Sequence, residues 1–404
     1  MSLNISILTL QWALNVGAYL QLYSLFHILS RIQKNVNVEI INYIPKPHSQ
    51  SLNEKIRERG FIGGTKLVAG RILDQICCLG FERRKKILFE KYLNNLKLTE
   101  PVIGLNELFN VAEKFDTIVV GSDWVWSPEF PMHYHEYAYL LPFKLKTTLK
   151  VAYSASFGID TPWKVPSTIQ HLYGKYIRDF DFVSLREKSH IPFLSKLIKK
   201  PVYNALDPVF LTEKMLWEHN LLNVKIPDEM KNFLNEDYIF IYNLEPYLIF
   251  ELKSLLSIFQ RRGYKVVIYK LPRLNPIYNF IKDISSFFTL RLGGIKFAEY
   301  IGPYEFILII SNSKYVITDS FHGTAFSIIF EKPFVSISRP KASIRIRDLL
   351  DLFKLQNRFV YYNADAVEIS KKLEESIDFK PVALKLEYYR RKSLELLRTS
   401  LVKN

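Results

Sequence analysis

The stretch Tyr315-Val-Ile-Thr-Asp-Ser-Phe-His-Gly-Thr-Ala-Phe-Ser-Ile-Ile-Phe-Glu-Lys-Pro-Phe-Val-Ser-Ile337 reads as strand, turn, helix and strand, with the helix starting near His322. Asp319 and Ser320 are residue types that cap helices, and Gly323 lets a backbone approach a neighbour closely. A short apolar strand that recurs after one helix is the pattern of a parallel sheet buried on both faces. Working outward, the same unit repeats. Apolar runs at Tyr238–Asn243, Lys265–Tyr269, Tyr315–Thr318, Phe334–Ile337 and Phe359–Tyr362 predict one sheet. Runs at Ile5–Leu10, Val38–Tyr43, Thr117–Val120, Val151–Ser154, Phe182–Leu185 and Val202–Ala205 predict another. The expected fold is α/β, with two Rossmann-like parallel-sheet domains facing each other across a cleft. The first spans 1–211 with a basic helical insertion at 44–98, a linker spans 212–237, the second spans 238–379, and a helix closes the chain at 380–404.

The composition fits such a fold. The chain has 404 residues, 48% of them hydrophobic and 24% charged, which excludes a disordered or disulfide-stapled protein. Its two cysteines, Cys77 and Cys78, are too few and too close for a disulfide framework or a zinc site. A formal charge of +15 favours anionic partners, and the segment 46–97 carries 12 basic against 5 acidic residues. No recognition-helix, zinc-finger or RNP-type pattern accompanies that charge, so nucleic acid is not expected. The first 30 residues are uncharged, but Gln11, Asn15, Gly17, Gln21 and His27 interrupt them and no basic n-region precedes them. They read as a strand, a polar turn from Gln11 to Tyr19 and a helix from Leu20 to Ile32, so a cytoplasmic protein is expected.

In open parallel sheets, ligands bind beyond the carboxyl ends of the strands. The residues there are polar: Asn15 and Gly17 after the first strand, Ser122 and Asp123 after the third, Arg186 after the fifth, and Ser320 to Thr324 in the second domain. The helix opening at His322 offers free N–H groups and a favourable dipole for an anion. His322 is either a turn filler or a functional group. Asp123 is either a turn-stabilising carboxylate or a site residue, and Trp124 and Trp126 are either core rings or flat surfaces for a sugar. Arg186 is either a partner of Glu187 or a bidentate ligand for a carboxylate or phosphate. His133 and His135 match no metal-site spacing, so no metal is expected. Walker A, G-x-G-x-x-G and G-x-S-x-G patterns are absent, which disfavours classical ATP, NAD and serine-hydrolase chemistry.

In order and spacing, several segments resemble the polysaccharide pyruvyl transferases. They are Leu14-Asn-Val-Gly-Ala-Tyr-Leu-Gln21, Phe115-Asp-Thr-Ile-Val-Val-Gly-Ser-Asp-Trp-Val-Trp-Ser-Pro128, Ala152-Tyr-Ser-Ala-Ser-Phe-Gly158, Val183-Ser-Leu-Arg-Glu-Lys-Ser189, Leu206-Asp-Pro-Val209, Thr318-Asp-Ser-Phe-His-Gly-Thr-Ala-Phe-Ser327 and Arg345-Ile-Arg-Asp-Leu-Leu350. The resemblance implies a glycosyltransferase-B-like fold. It also implies transfer of pyruvate from phosphoenolpyruvate to two hydroxyls of a sugar, forming a cyclic ketal, with no further cofactor. On that basis His322 and Asp123 are the catalytic candidates. Arg186, Ser320, Gly323, Thr324, Arg339 and Arg345 are donor-binding candidates, and Asn15, Gly17, Ser122, Trp124 and Trp126 face the acceptor. The chain departs from the family's best-studied branch in having Ser320-Phe321-His322 in place of Arg-x-His, so that Arg339 or Arg345 would have to supply the missing guanidinium. It also has Val16, Ala18 and Trp124 where Tyr, Gly and Gln are usual. Alternatives are a nucleotide-sugar glycosyltransferase on the same scaffold and a non-catalytic carbohydrate-binding relative. The acceptor is expected to be a sugar or lipid-linked oligosaccharide of a surface polysaccharide, reached with weak electrostatic contact to the inner membrane face.

Overall fold

The computed structural model describes residues 2–45, 81–133, 136–221, 224, 234–243, 253–270, 295–297, 301–338 and 343–402. Two six-stranded sheets, parallel throughout, account for most of the architecture. The first runs β2-β1-β3-β4-β5-β6. Its strands are β1 (Leu3–Leu8), β2 (Val36–Ile40), β3 (Thr117–Val120), β4 (Leu149–Ala155), β5 (Phe182–Leu185) and β6 (Tyr203–Asn204). The second runs β12-β11-β10-β7-β8-β9. It is built from β7 (Tyr238–Asn243), β8 (Lys265–Lys270), β9 (Ile295–Phe297), β10 (Tyr315–Thr318), β11 (Phe334–Ser338) and β12 (Phe359–Tyr361).

The strands form where β-branched and aromatic residues can be covered on both faces. All four residues of β3 are buried, as are all five of β11. In each sheet the order of connection reverses once, between β1 and β3 in the first and between β7 and β10 in the second. A crevice opens at such a reversal, beyond the strands' carboxyl ends.

Four helices matter for the site: α1 (Val16–Ser30), α2 (Phe321–Ile329), α3 (Ile344–Phe353) and α4 (Phe379–Ser400). Helix α1 starts at Val16, four residues before the expected Leu20, because Asn15 caps it: its Oδ1 accepts from Gly17 N at 2.8 Å and Ala18 N at 3.2 Å. The polar turn therefore ends at Asn15, and Gly17 belongs to the first helical turn. Every residue of α2 is buried, and its Thr324 and Ser327 hydroxyls are satisfied by the carbonyls of Ser320 and Gly323 one turn earlier. Its Phe326 meets Trp217 at 5.3 Å between ring centroids. Helix α4 returns to the first half, where Ser393 Oγ accepts from Leu206 N at 3.0 Å and Arg390 Nε donates to Phe210 O at 2.8 Å. One cluster of buried apolar side chains thus runs through both halves, from Leu20 and Phe210 to Phe306, Phe353 and Leu397.

Strand β1 lies two residues earlier than expected, and β9 was not expected at all. Of the basic insertion, residues 46–80 lie outside the described residues, and the described part begins with the helix Phe81–Leu93.

Candidate functional site

The two sheet reversals bring their loops together, and His322 marks the junction. It is the second residue of α2, directly after β10, and its ring lies against the first turn of α1. A Cβ added at Gly17 would sit 2.1 Å from His322 Nδ1 and 2.5 Å from Cγ. Only glycine leaves room for the imidazole there, so the position is decided by a contact from the other half of the molecule.

On its other side, His322 Nε2 stands 3.7 Å from Asp207 Oδ2, an ion-pair distance longer than a hydrogen bond. Asp207, at the end of the β6 segment, is the hub of the site. Its Oδ2 takes Arg186 Nη1 at 3.0 Å and lies within hydrogen-bond reach of Ser122 Oγ at 3.1 Å, while Oδ1 accepts from Val209 N at 3.2 Å. Burial raises the Asp207 pKa, but His322, Arg186 and the Val209 N–H together bring it down to about 2.

Arg186 follows β5 and is almost wholly enclosed. Besides Asp207, it meets Glu187 Oε1 through Nε at 3.1 Å and Asp123 Oδ1 through Nη1 at 3.6 Å, and its Cζ lies 4.1 Å from the centroid of the Phe321 ring. Burial opposes its charge, yet Glu187, Asp207 and Asp123 overcome that and drive its pKa above the usual arginine value. The third nitrogen, Nη2, is buried without a hydrogen-bond partner.

Arg345 enters from the start of α3 and lays its guanidinium over the Trp124 ring, with Cζ 4.3 Å from the centroid. Burial, and then the charge of Arg186, lower its pKa to about 10. Its Nε has no hydrogen-bond partner, and neither has His322 Nε2, whose nearest carboxylate oxygen is the one on Asp207 at 3.7 Å. Three cationic or potentially cationic side chains at one junction therefore each hold an unsatisfied nitrogen. The N–H groups that open α2 add to this, since a helix cannot satisfy its first turn internally.

The expected residues distribute unevenly around this junction. Ser122 and Asp123 lie at it, Asp123 with φ +69°, a left-handed conformation costly for a non-glycine residue. Trp124 reaches it under Arg345, whereas Trp126 is 1% exposed, packs between Phe157 and Phe180 and donates Nε1–H to Tyr139 O at 3.1 Å. Asn15 acts as the α1 cap. Ser320 donates its N–H to Thr318 Oγ1 at 3.0 Å and makes no side-chain cap bond. Gly323 packs on Thr318, whose Oγ1 would be 2.1 Å from an added Cβ. Thr324 Oγ1 bonds to Ser320 O at 3.0 Å and Ser336 Oγ at 2.7 Å inside the fold. Arg339 and His135 lie outside the described residues. Among the described residues, no group of three His, Cys, Asp or Glu side chains could hold a metal.

Asp207 was missed as a site residue, although it stands where the same strand-end rule would have found it. Glu187 was noticed only as a partner for Arg186. A separate groove of about 840 Å³ lies at the amino ends of β4, β5 and β6, by Lys146, Lys150 and Tyr203. Its buried cation is already committed, Lys150 Nζ donating to Leu141 O at 3.0 Å.

A family model described as polysaccharide pyruvyl transferase matches residues 15–340. No curated protein matches the sequence. Similar solved structures include UDP-GlcNAc 2-epimerase from Neisseria meningitidis bound to UDP-GlcNAc, at 14% identity and TM-score 0.57 with all of both chains covered. The UDP-N-acetylglucosamine 2-epimerase from Rickettsia bellii has 12% identity and TM-score 0.57, with 99% of this chain and 97% of that chain covered. At such identities the likeness concerns the fold alone, which is glycosyltransferase-B-like.

Proposed function

The chain belongs to the polysaccharide pyruvyl transferase family, and from that premise we propose that it moves pyruvate from phosphoenolpyruvate onto two hydroxyls of a sugar as a cyclic ketal, releasing phosphate. The observation that supports this most is the set of unsatisfied nitrogens on Arg186, Arg345 and His322 beside the α2 N-terminus. A small ligand with both a carboxylate and a phosphate needs several convergent donors, each charge-assisted bond being worth about 1.5–3 kcal/mol.

The charges decide which donor matters most. Asp207, Glu187 and Asp123 already counter Arg186. Among the described residues no carboxylate forms an ion pair with the Arg345 guanidinium, which lies on the Trp124 ring. In this reading Arg345 supplies the guanidinium missing from the position of Ser320, and Arg186 sets the frame against which the anion is held.

In the proposed reaction, a proton is added to the methylene carbon of the enol while one acceptor hydroxyl attacks the adjacent carbon and loses its own proton. The C–O bond to phosphate then breaks, and the second hydroxyl attacks the same carbon and gives its proton to the departing phosphate, closing the ketal. His322 is the acid/base candidate because imidazole exchanges protons near neutral pH. Asp123, held near Arg186, is the candidate for accepting an acceptor hydroxyl proton.

His322→Ala should lose about 10²–10⁴-fold in turnover with its fold retained. Near-wild-type turnover in both His322→Ala and Asp123→Ala would refute these roles. The acceptor is read as a surface-polysaccharide precursor, approached from the inner membrane face with the exposed Arg391 of α4 contributing weak, salt-reversible contact. Among the described residues, no helix is long and apolar enough to cross a membrane.

A further inference from the structure

Helix α3 carries Arg345 into the site, yet it is anchored by the opposite half of the molecule. Ser343 precedes the helix and caps nothing with its own side chain. Its first turn is instead held by Asp160, from the loop after β4. Oδ2 accepts from Ser343 N at 3.0 Å and Ser343 Oγ at 3.3 Å, and Oδ1 accepts from Ile344 N at 3.0 Å. A carboxylate at a helix N-terminus both satisfies the open N–H groups and complements the dipole.

The same loop supports the other end of the arginine. Gly158 lies beneath Trp124, where an added Cβ would come within 3.0 Å of the indole, and at φ +71° its backbone is one that glycine adopts readily. A single residue, Ile159, separates the carboxylate that holds the backbone just before Arg345 from the glycine that seats the ring under its guanidinium. One turn further along α3, Asp348 Oδ2 accepts from Ser189 N at 2.8 Å, again across the halves.

Such anchoring is needed here. Arg345 stands close enough to Arg186 for the charge of one to disfavour that of the other, with Asp160 among the carboxylates that favour it. Two like charges on separate halves push the halves apart unless a ligand or a fixed contact offsets them. Asp160 acts on the site through the N–H groups it holds at the start of α3 and through its charge, which favours that of Arg345.

We infer that Asp160 is a positioning residue: by capping α3 across the cleft it sets Arg345 on Trp124 and so makes the donor anion site. The inference rests on the donor reading above for its ligand, but its structural half stands without it.

The test compares the full-length wild type with Asp160→Ala, Asp160→Asn, Arg345→Ala and the Asp160→Ala/Arg345→Ala pair. Phosphoenolpyruvate binding is measured by calorimetry. Asp160→Ala should weaken binding by about tenfold or more, the loss expected when a charge-assisted contact is misplaced. Asp160→Asn, which keeps an acceptor oxygen, should recover part of it. In the Arg345→Ala background, Asp160→Ala should change binding by less than about twofold, because the two act as one unit. Independent losses that add in the double variant, or unchanged binding in Asp160→Ala, would overturn the inference.

A second readout needs no donor. Amides 343–347 should lose hydrogen-exchange protection in Asp160→Ala, and the near-ultraviolet dichroism change caused by Arg345→Ala should be reproduced by Asp160→Ala. If wild type fails to bind phosphoenolpyruvate, the donor reading falls, and these two signals decide the positioning claim alone. Their absence overturns it.

Discussion

Gly17→Ala offers the sharpest test of the junction between the halves. The new methyl would lie 2.1 Å from His322 Nδ1, 2.5 Å from Cγ and 2.8 Å from Cε1. Ordinary contact for such atoms is about 3.5 Å, so ring and helix must part by about 1 Å or more. Misplacement of that size at a reacting group costs about 10²-fold in rate. The fold itself has little reason to suffer. Asn15 still caps α1, and alanine is favoured over glycine within a helix by about 1 kcal/mol. Ketal formation should therefore fall about 10²-fold while the melting temperature stays near that of wild type. A Gly17→Ala protein with wild-type turnover would show that the His322 ring need not sit where it does, and the reasoning would fail. If the clash is relieved by separating the two folded halves, small-angle scattering would register it as expansion at an unchanged secondary-structure content.

Arg186→Ala should be costly to stability, by about 3–5 kcal/mol, because Asp207 and Glu187 remain buried without their cation. Chemical denaturation measures this, and a loss below about 1 kcal/mol would argue that the carboxylates are otherwise satisfied. Asp207, with its pKa lowered from 3.8 to about 2, contributes stability that is fully present above pH 4 and lost as pH falls towards 2. The amount is about 2 kcal/mol. Asp207→Asn should lose that contribution at neutral pH and flatten the acid limb of the stability profile, and an unchanged profile would contradict the assignment.

The strands were legible because a sheet covered on both faces demands runs of β-branched and aromatic residues, which is what Thr117–Val120 and Tyr315–Thr318 are. Strand β9 escaped because three residues, Ile295–Phe297, are too few to show a pattern. The start of α1 was misread because Asn15 looks like one polar residue among several in a turn, and its role as a cap depends on where its side chain points.

At the site, strand-end position pointed to Arg186, Asp123 and His322, since residues after parallel strands converge by topology. What it could not give was pairing. That Asp207 joins Ser122, Arg186 and His322 depends on contacts between loops that are 21 to 115 residues apart in sequence. The two tryptophans make the same point. Trp124 and Trp126 are indistinguishable by type and spacing, but one meets Arg345 and the other is sealed in the core.

The central claim is the identity of the donor, and ligand-dependent melting tests it directly, because a molecule that binds only the folded state raises the transition temperature. Wild-type protein should be stabilised by phosphoenolpyruvate and not by UDP-GlcNAc, and the shift should be lost in Arg345→Ala. Stabilisation by the nucleotide sugar, with none from phosphoenolpyruvate, would contradict the account and favour a glycosyltransferase on the same scaffold.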